Sequence, residues 1–161
     1  MTERMYWHGW HNQLCAYLDP EARAQEIRET KPGEELPTRF RLMQPVRGRL
    51  PAAVVSTSRA FFRAQAKFGL TRARYDLARA KFSQPCAKYD LPGAKYEQAR
   101  VKVNRAWGKH ELAWGKREQA WGKREQAWGK YAPQIEALHK LECLDCPWDG
   151  KTIFPKEVHH D

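Results

Sequence analysis

No run of apolar residues comes near the roughly 18–20 that a membrane span requires, and the opening MTERMYWHGWHN lacks an apolar stretch leading to a small-residue cleavage site. The chain is therefore expected to be soluble and intracellular, with no membrane partner. Catalytic signatures are missing too. There is no glycine-rich phosphate loop, no GxSxG and no HExxH, and the acids of the middle segment recur evenly instead of pairing. No catalytic residue is nominated, and the expectation is a protein that is not an enzyme. Cysteine is scarce: Cys143 and Cys146 form a CxxC, while Cys15 and Cys86 stand alone. That pattern suits a metal site in a reducing compartment better than a disulfide framework.

Apolar residues are also unevenly spread. Of the seven tryptophans, four sit at fixed spacing in the middle of the 161-residue chain, and the mean hydropathy is -0.84 with 30% charged residues. This predicts a wet, elongated molecule with small end modules. Positive charge is concentrated as well. From Pro51 to Tyr131 there are 18 Lys/Arg against 6 Asp/Glu, and the remainder carries 11 against 13. A basic middle points to a polyanionic partner, or else to a solvated coiled-coil exterior.

From Phe61 the chain reads in sevens: FFRAQAK, FGLTRAR, YDLARAK, FSQPCAK, YDLPGAK, YEQARVK, VNRAWGK, HELAWGK, REQAWGK, REQAWGK. The first position is aromatic in six consecutive units, and the seventh is Lys or Arg in all ten. On a helix a period of seven keeps equivalent positions on one slowly drifting face. Tyr75, Phe82, Tyr89 and Tyr96 form such a stripe, and the small fourth positions (Ala64, Ala78, Ala106, Ala113, Ala120, Ala127) complete a heptad seam. In the last four units the first position becomes Val103, His110, Arg117 and Arg124. There the bulk moves to the fifth position, at Trp107, Trp114, Trp121 and Trp128. The contact face is expected to rotate with it.

Pro85 and Pro92 predict a break between residues 83 and 93, since proline inside a helix costs roughly 3 kcal/mol. Two helices, about 57–83 and 93–131, are then expected to fold back as an antiparallel hairpin that ends before Pro133. The glycines at 108, 115, 122 and 129 weaken the second helix, which needs a partner. Within the AWGKREQ units no ion pair falls at i+3 or i+4, whereas Trp114 with Arg117 and Trp121 with Arg124 do; Asp76 can pair with Arg79, and Glu97 with Arg100. Trp107, Trp114, Trp121 and Trp128 with Arg117, Arg124, Lys116 and Lys123 are the candidate interaction residues. They serve a helix–helix interface in the leading reading, and nucleic acid, through phosphate contacts and base stacking, in the runner-up.

In the N-terminal module, 1–56, Trp7, Trp10, Leu14, Tyr17 and Leu18 fall at helical spacing and predict a short amphipathic helix. Asp19-Pro20 reads as the cap and first turn of a second helix through about Glu29. KPGEELP is read as a loop, 38–55 as an irregular hairpin around Arg47-Gly48, and Ser56 or Ser58 as the cap of the array, 57–131. In the C-terminal module, 132–161, His139-x3-Cys143-x2-Cys146 precedes a turn at Asp149-Gly150, a short strand at 151–154 and His159-His160. His139, Cys143, Cys146 and His159 suit tetrahedral zinc, and so small a module would gain its fold from the metal. The Cys-x2-Cys-x12-His interval equals that of a C2H2 finger, but the second histidine spacing is absent, so His139 or His160 must supply the fourth ligand. Free thiols beside a terminal hairpin are the alternative. A second arrangement, His8-x2-His11-x3-Cys15, mirrors the C-terminal spacing and could clip the two ends together.

Tandem YxxAxAK and AWxK units followed by CPWDGKTIF resemble uncharacterised bacteriophage and prophage proteins with variable repeat number, over about 61–154. The resemblance implies a phage origin and action in the host bacterial cytoplasm or in the virion. Together these readings predict a mainly α protein, a heptad-repeat array between small irregular modules. It is expected to act as a non-enzymatic interaction protein with a protein partner or with itself. The alternative is a nucleic-acid-binding protein using the Arg/Lys/Trp face, with or without a zinc knuckle.

Overall fold

The computed structural model of the protein describes residues 3–87 and 93–154. The order of elements is β1 (Arg4–Trp7), β2 (Cys15–Leu18), α1 (Pro20–Thr30), a 3-10 turn (Gly33–Glu35), α2 (Leu36–Leu42), α3 (Ala52–Ala87) and α4 (Gly93–Glu142). The fold is mainly helical, as the periodicity predicts, with α3 and α4 packed together. The chain divides into two compact units: residues 1–59 with 126–161, and residues 60–125.

The first unit is built on a hairpin rather than the predicted N-terminal helix. β1 and β2 pair antiparallel, with Met5 opposite Tyr17 and Trp7 opposite Cys15. Helical spacing at Trp7, Trp10 and Leu14 loses to the β-favouring aromatics of RMYW and CAYL, because each strand finds a hydrogen-bonding partner. The far edge of β1 is covered as well: Trp7 N–H donates to Gln44 (2.8 Å), Val46 N–H donates to Met5 (3.1 Å), and Tyr6 bridges Pro45. Residues 38–55 therefore do not form the predicted hairpin around Arg47-Gly48. They supply the end of α2, a strip alongside β1, and the start of α3. With both faces covered, β2 is buried at all four positions and shows no alternation. Trp7, Leu18, Ile27, Leu42, Val54, Ile135 and Ile153 fill the core between the hairpin and the helices.

Helix α1 starts as predicted, with the Asp19 carboxylate accepting from Glu21 N–H and Pro20 in the first turn. Part of KPGEELP is helical and not loop: Glu35 ends the 3-10 turn and pairs with Arg39 one turn on at 2.5 Å, holding α2. At the start of α3 the Pro51 carbonyl accepts from Val54 and Val55, so the helix opens before Ser56 and Ser58 and neither caps it. Ser58 is buried and accepts from the Trp128 indole at 3.3 Å.

The second unit is an antiparallel pair of helices. Phe61 meets Trp121, Phe68 meets His110, Tyr75 meets Trp107 and His110, and Phe82 meets Tyr96, at centroid distances of 4.9–6.0 Å. Partly or fully buried residues recur along α4 at 103, 106, 110, 113, 117, 120 and 124, the first and fourth positions throughout. The predicted rotation of the contact face does not occur. Arg117 lies over Phe61 and Phe68, and Arg124 over Phe61 and Trp121, each guanidinium 5.1–5.8 Å from a ring centroid. A flat cation stacked on rings fills a seam position as a hydrophobe would. Trp107 and Trp121 touch Tyr75 and Phe61 from the edge of the seam and keep much of their surface exposed, as does Trp114.

Helix boundaries also move. α3 continues through Pro85 to Ala87, and α4 continues through Pro133 to Glu142. Pro133 is tolerated because Ala127 and Ile135, on either side of it, are buried, and that packing offsets the lost hydrogen bond. The junction with Pro92 lies outside the described residues. Arg117 pairs with the adjacent Glu118, and Arg124 with Glu125 at 3.0 Å, where no ion pair was expected; Asp76 reaches Arg72 at 3.9 Å instead of Arg79, and Glu97 pairs with Arg100 as anticipated at 3.0 Å.

The end of α4 is tied to the hairpin through one carboxylate. Glu142 accepts from the Trp7 indole (2.9 Å), from Arg47 N–H (2.9 Å) and from Gly48 N–H. Burial raises its pKa, but the Arg47, Trp7 and Gly48 donors outweigh this and hold it below the ordinary glutamate range. Glu142→Gln should lower stability by about 1–2 kcal/mol, because the amide accepts at only one atom. Denaturant unfolding followed by tryptophan fluorescence checks this; an unchanged midpoint would show that the clamp holds nothing.

Candidate metal centre

His139 and Cys143 are one turn apart at the end of α4, which puts imidazole and thiol on the same side; the Cys143 N–H donates to the His139 carbonyl at 2.8 Å. The chain then reverses at Asp145, whose φ of 53° is left-handed, and this returns Cys146 toward the helix end. The fourth residue comes from the other end of the sequence. His8 follows β1 with φ 46°, a kink that turns its ring out of the strand, and its N–H donates to Leu14 at 3.0 Å. The neighbouring Trp7–Glu142 hydrogen bond fixes this corner against α4.

The ligand atoms of His8, His139, Cys143 and Cys146 all lie within 4.8 Å of one another. His8 Nε2 is 2.9 Å from His139 Nε2 and 3.1 Å from Cys146 Sγ. A tetrahedral ion with metal–nitrogen distances of about 2.0 Å and metal–sulfur distances of about 2.3 Å holds its ligand atoms about 3.3–3.8 Å apart. The donor set and its span therefore fit one ion, and the group can hold a metal. Four protein ligands complete a tetrahedron and leave no position for substrate, the arrangement of a structural site. The rings are held from outside: Trp7 packs edge-on to His139 at 5.1 Å, and Trp148 lies 5.4 Å from His8. A groove of about 480 Å³, lined by His139, Lys140, Cys143, Cys146 and Trp148 among others, opens beside the thiols and gives an ion a way in.

Burial, and then the charge of His139, lower the His8 pKa to about 4; burial also lowers that of His139. Both imidazoles are thus neutral ligands at neutral pH. Burial, with the hydrogen bond and charge of Cys146, pushes the Cys143 thiol up to about 12. A cation bound there would displace its proton.

Of the residues nominated from sequence, His139, Cys143 and Cys146 come together here, and His159 and His160 lie outside the described residues. His8 takes the fourth place. It belonged to the second arrangement, but its companions there do not join it: His11 is exposed, and Cys15 is fully buried in β2. The spacing His8-x2-His11 carried the hint; a hairpin in place of a helix decides which of the two histidines reaches the helix end. Lys151–Phe154 do not form the predicted strand. Asp149 accepts from Lys151 and Thr152 N–H (both 2.8 Å) around Gly150, whose φ is 97°, and Ile153 is pinned by donation to His11 at 3.0 Å.

The candidate interaction residues do not form one surface. Trp107, Trp114 and Trp121 are 44%, 52% and 36% exposed, Trp128 is half-buried against Ser58, Arg117 and Arg124 are in the seam, and Lys116 and Lys123 are exposed. Fifth and seventh positions lie about 160° apart around a helix, so the Trp and Lys rows face opposite ways. Among the described residues no helix is long and apolar enough to cross a membrane. No family model, curated protein or solved structure matches the chain.

Titration of the reduced protein with Co²⁺ should give thiolate-to-metal absorption saturating at one ion per chain. His8→Ala should weaken binding by more than about tenfold, since losing a ligand costs at least as much as losing its outer support. Cys15→Ser should leave the titration unchanged. Equal binding by wild type and His8→Ala would place the ion elsewhere.

Proposed function

We propose that this is a non-enzymatic interaction protein of bacteriophage type, acting in the infected bacterium or the virion, whose helical pair associates with a second copy of itself. A structural zinc ion closes its His8/His139/Cys143/Cys146 unit. The observation that carries the reading is the row Trp107, Trp114, Trp121, exposed at heptad spacing on a flank that the seam leaves uncovered.

Three features support a second copy as the occupant. The glycines beside this row, Gly108, Gly115 and Gly122, have open space where a Cβ would stand, so another helix can approach closely. The flank carries both signs of charge. The second-position acids Glu111, Glu118 and Glu125 lie next to the tryptophans on α4, and the exposed fifth-position bases Arg72 and Arg79 lie on α3. A two-fold axis can then set acids of one copy against bases of the other, as a self-complementary interface requires. Buried tryptophans with flanking opposite charges are also what such interfaces use as anchors. For the ion, two imidazoles and two thiols whose ligand atoms lie within 4.8 Å of one another suit zinc, which takes such nitrogen and sulfur donors in a tetrahedron.

Light scattering across a concentration series should give a dimer that Trp107→Ala with Trp114→Ala converts to monomer. Gly115→Ala should raise the melting temperature, since alanine is favoured over glycine in a helix by roughly 0.5–1 kcal/mol, yet weaken association by filling the approach. A wild-type protein that stays monomeric up to its solubility limit overturns the reading.

A further inference from the structure

The other flank of the helical pair has a different chemistry. Every Asp and Glu of the heptads in the described residues occupies the second position, as at Asp76, Glu97 and Glu111, and every seventh position there is Lys or Arg. Second and seventh positions are about 140° apart on a helix. The antiparallel register then brings the seventh positions of both helices to the same side. Arg74 shares one groove of about 180 Å³ with Lys102 and Lys109, and another of about 370 Å³ with Lys81 and Lys102. The same register places Lys67 across from Lys116. Three crosswise pairs of like charge result: Lys67 with Lys116, Arg74 with Lys109, and Lys81 with Lys102, all six exposed.

Such a flank opposes folding. Like charges across a helix pair repel, whereas rows of opposite sign would attract. Nothing in the seam requires the arrangement, because Phe61, Phe68, Tyr75 and Phe82 are held from α4 by rings and guanidinium groups. We propose that this flank binds the sugar–phosphate backbone of double-stranded nucleic acid without regard to sequence.

Three observations select that ligand. The cations repeat every heptad, about 10.5 Å along each helix, forming a long uniform row that matches a long uniform polyanion better than a single anion. An anionic membrane would require aromatic anchors on the same side as the lysines, and Trp107, Trp114 and Trp121 stand about 160° away. The one ring lining these grooves, Phe82, is engaged with Tyr96 in the seam, which leaves no row of rings for the base stacking on which single-strand binding relies; what is left is charge, and a duplex carries one negative charge per roughly 1.7 Å. The proposal uses the opposite flank from the self-association interface and does not depend on it.

Fluorescence anisotropy of a labelled duplex, titrated with the full chain at several salt concentrations, tests this. With six phosphate contacts, log K should fall against log salt with a slope of about −5. Replacing Lys67, Lys102, Lys109 and Lys116 with Gln should reduce that slope by about 3 to 4 units. Circular dichroism should show the helices retained, and the melting temperature should become less sensitive to salt as repulsion is relieved. Trp107→Ala with Trp114→Ala should bind the duplex through an unchanged set of phosphates, with the same slope, even if it abolishes dimers. The proposal is overturned if low salt gives no binding, if the four-Gln protein keeps the wild-type slope, or if a single strand is preferred with tryptophan quenching. Tighter binding to phosphatidylserine vesicles or to polyglutamate than to the duplex at equal salt overturns it too, assigning the flank to a membrane or an acidic protein.

Discussion

The interleaving of Phe61, Phe68, Tyr75 and Phe82 with the first-position residues of α4 determines where everything else on the helical pair can go. Phe61 is approached by Arg117 and Arg124, seven residues apart on the facing helix, and Tyr75 by Trp107 and His110, three apart. Small fourth positions such as Ala113 are buried between the layers and keep the helices close. Once the rings choose the first position of α4, the fifth is displaced to one flank and the seventh to the other. The polar character of that choice explains its stability. Arg124, 5% exposed, lies over Phe61 and Trp121 and pairs with Glu125, so its charge has partners although it has left water.

The unit containing both chain ends solves a different problem. Two four-residue strands, two short helices and helix ends offer little apolar area, and a two-stranded hairpin alone is marginal in water. Two polar devices compensate. Glu142 gathers three donors from Trp7, Arg47 and Gly48, joining residues some 95 and 135 apart in sequence. Next to it the His8, His139, Cys143 and Cys146 group joins residues up to 138 apart. A bond that closes a loop of this length removes much of the freedom of the unfolded chain, so an ion held by these four residues would contribute more to folding than one in a local CxxC knuckle. Burial would make the group dependent on a bound ion as well. Two buried imidazoles and a protonated thiol in contact are poorly matched, and a cation that accepts lone pairs from all four resolves the mismatch.

How much of this is legible in the residues differs by unit. The seven-residue period identifies the helices and the seam of first and fourth positions, because a long repeat averages over local exceptions, and the antiparallel turnback is legible from Pro85 and Pro92, although α3 runs through Pro85. At Trp107, Trp114 and Trp121 bulk does not mark a buried position, because stacking on Phe61 and Phe68 makes Arg117 an adequate seam residue. At 100° per residue the Trp and Lys rows already stand apart in the sequence. In the first unit, three of the four grouped ligands are readable from His139-x3-Cys143-x2-Cys146, since helix and turn geometry act over short range. His8 is readable only as a candidate. Its place depends on whether residues 4–18 pair as strands, and that is decided by Gln44, Pro45 and Val46 covering β1, a tertiary contact no local spacing encodes.

The segregation of charge on the helical pair is the strongest sign that its surface has a task. A repeat that grew by copying units carries its seventh-position base into both helices, and the antiparallel register then sets like charge beside like. Had α3 and α4 paired with an offset of sign, as in coiled coils whose flanking positions alternate Glu and Lys, the flank would have stabilised the fold. Here the acids are present, in the second position, yet they lie on the other side, beside the tryptophans. The helices therefore bear a self-repelling row that the available acids could have neutralised at no cost in net charge. A fold at a disadvantage in isolation and relieved by a counter-charged ligand couples binding to stability.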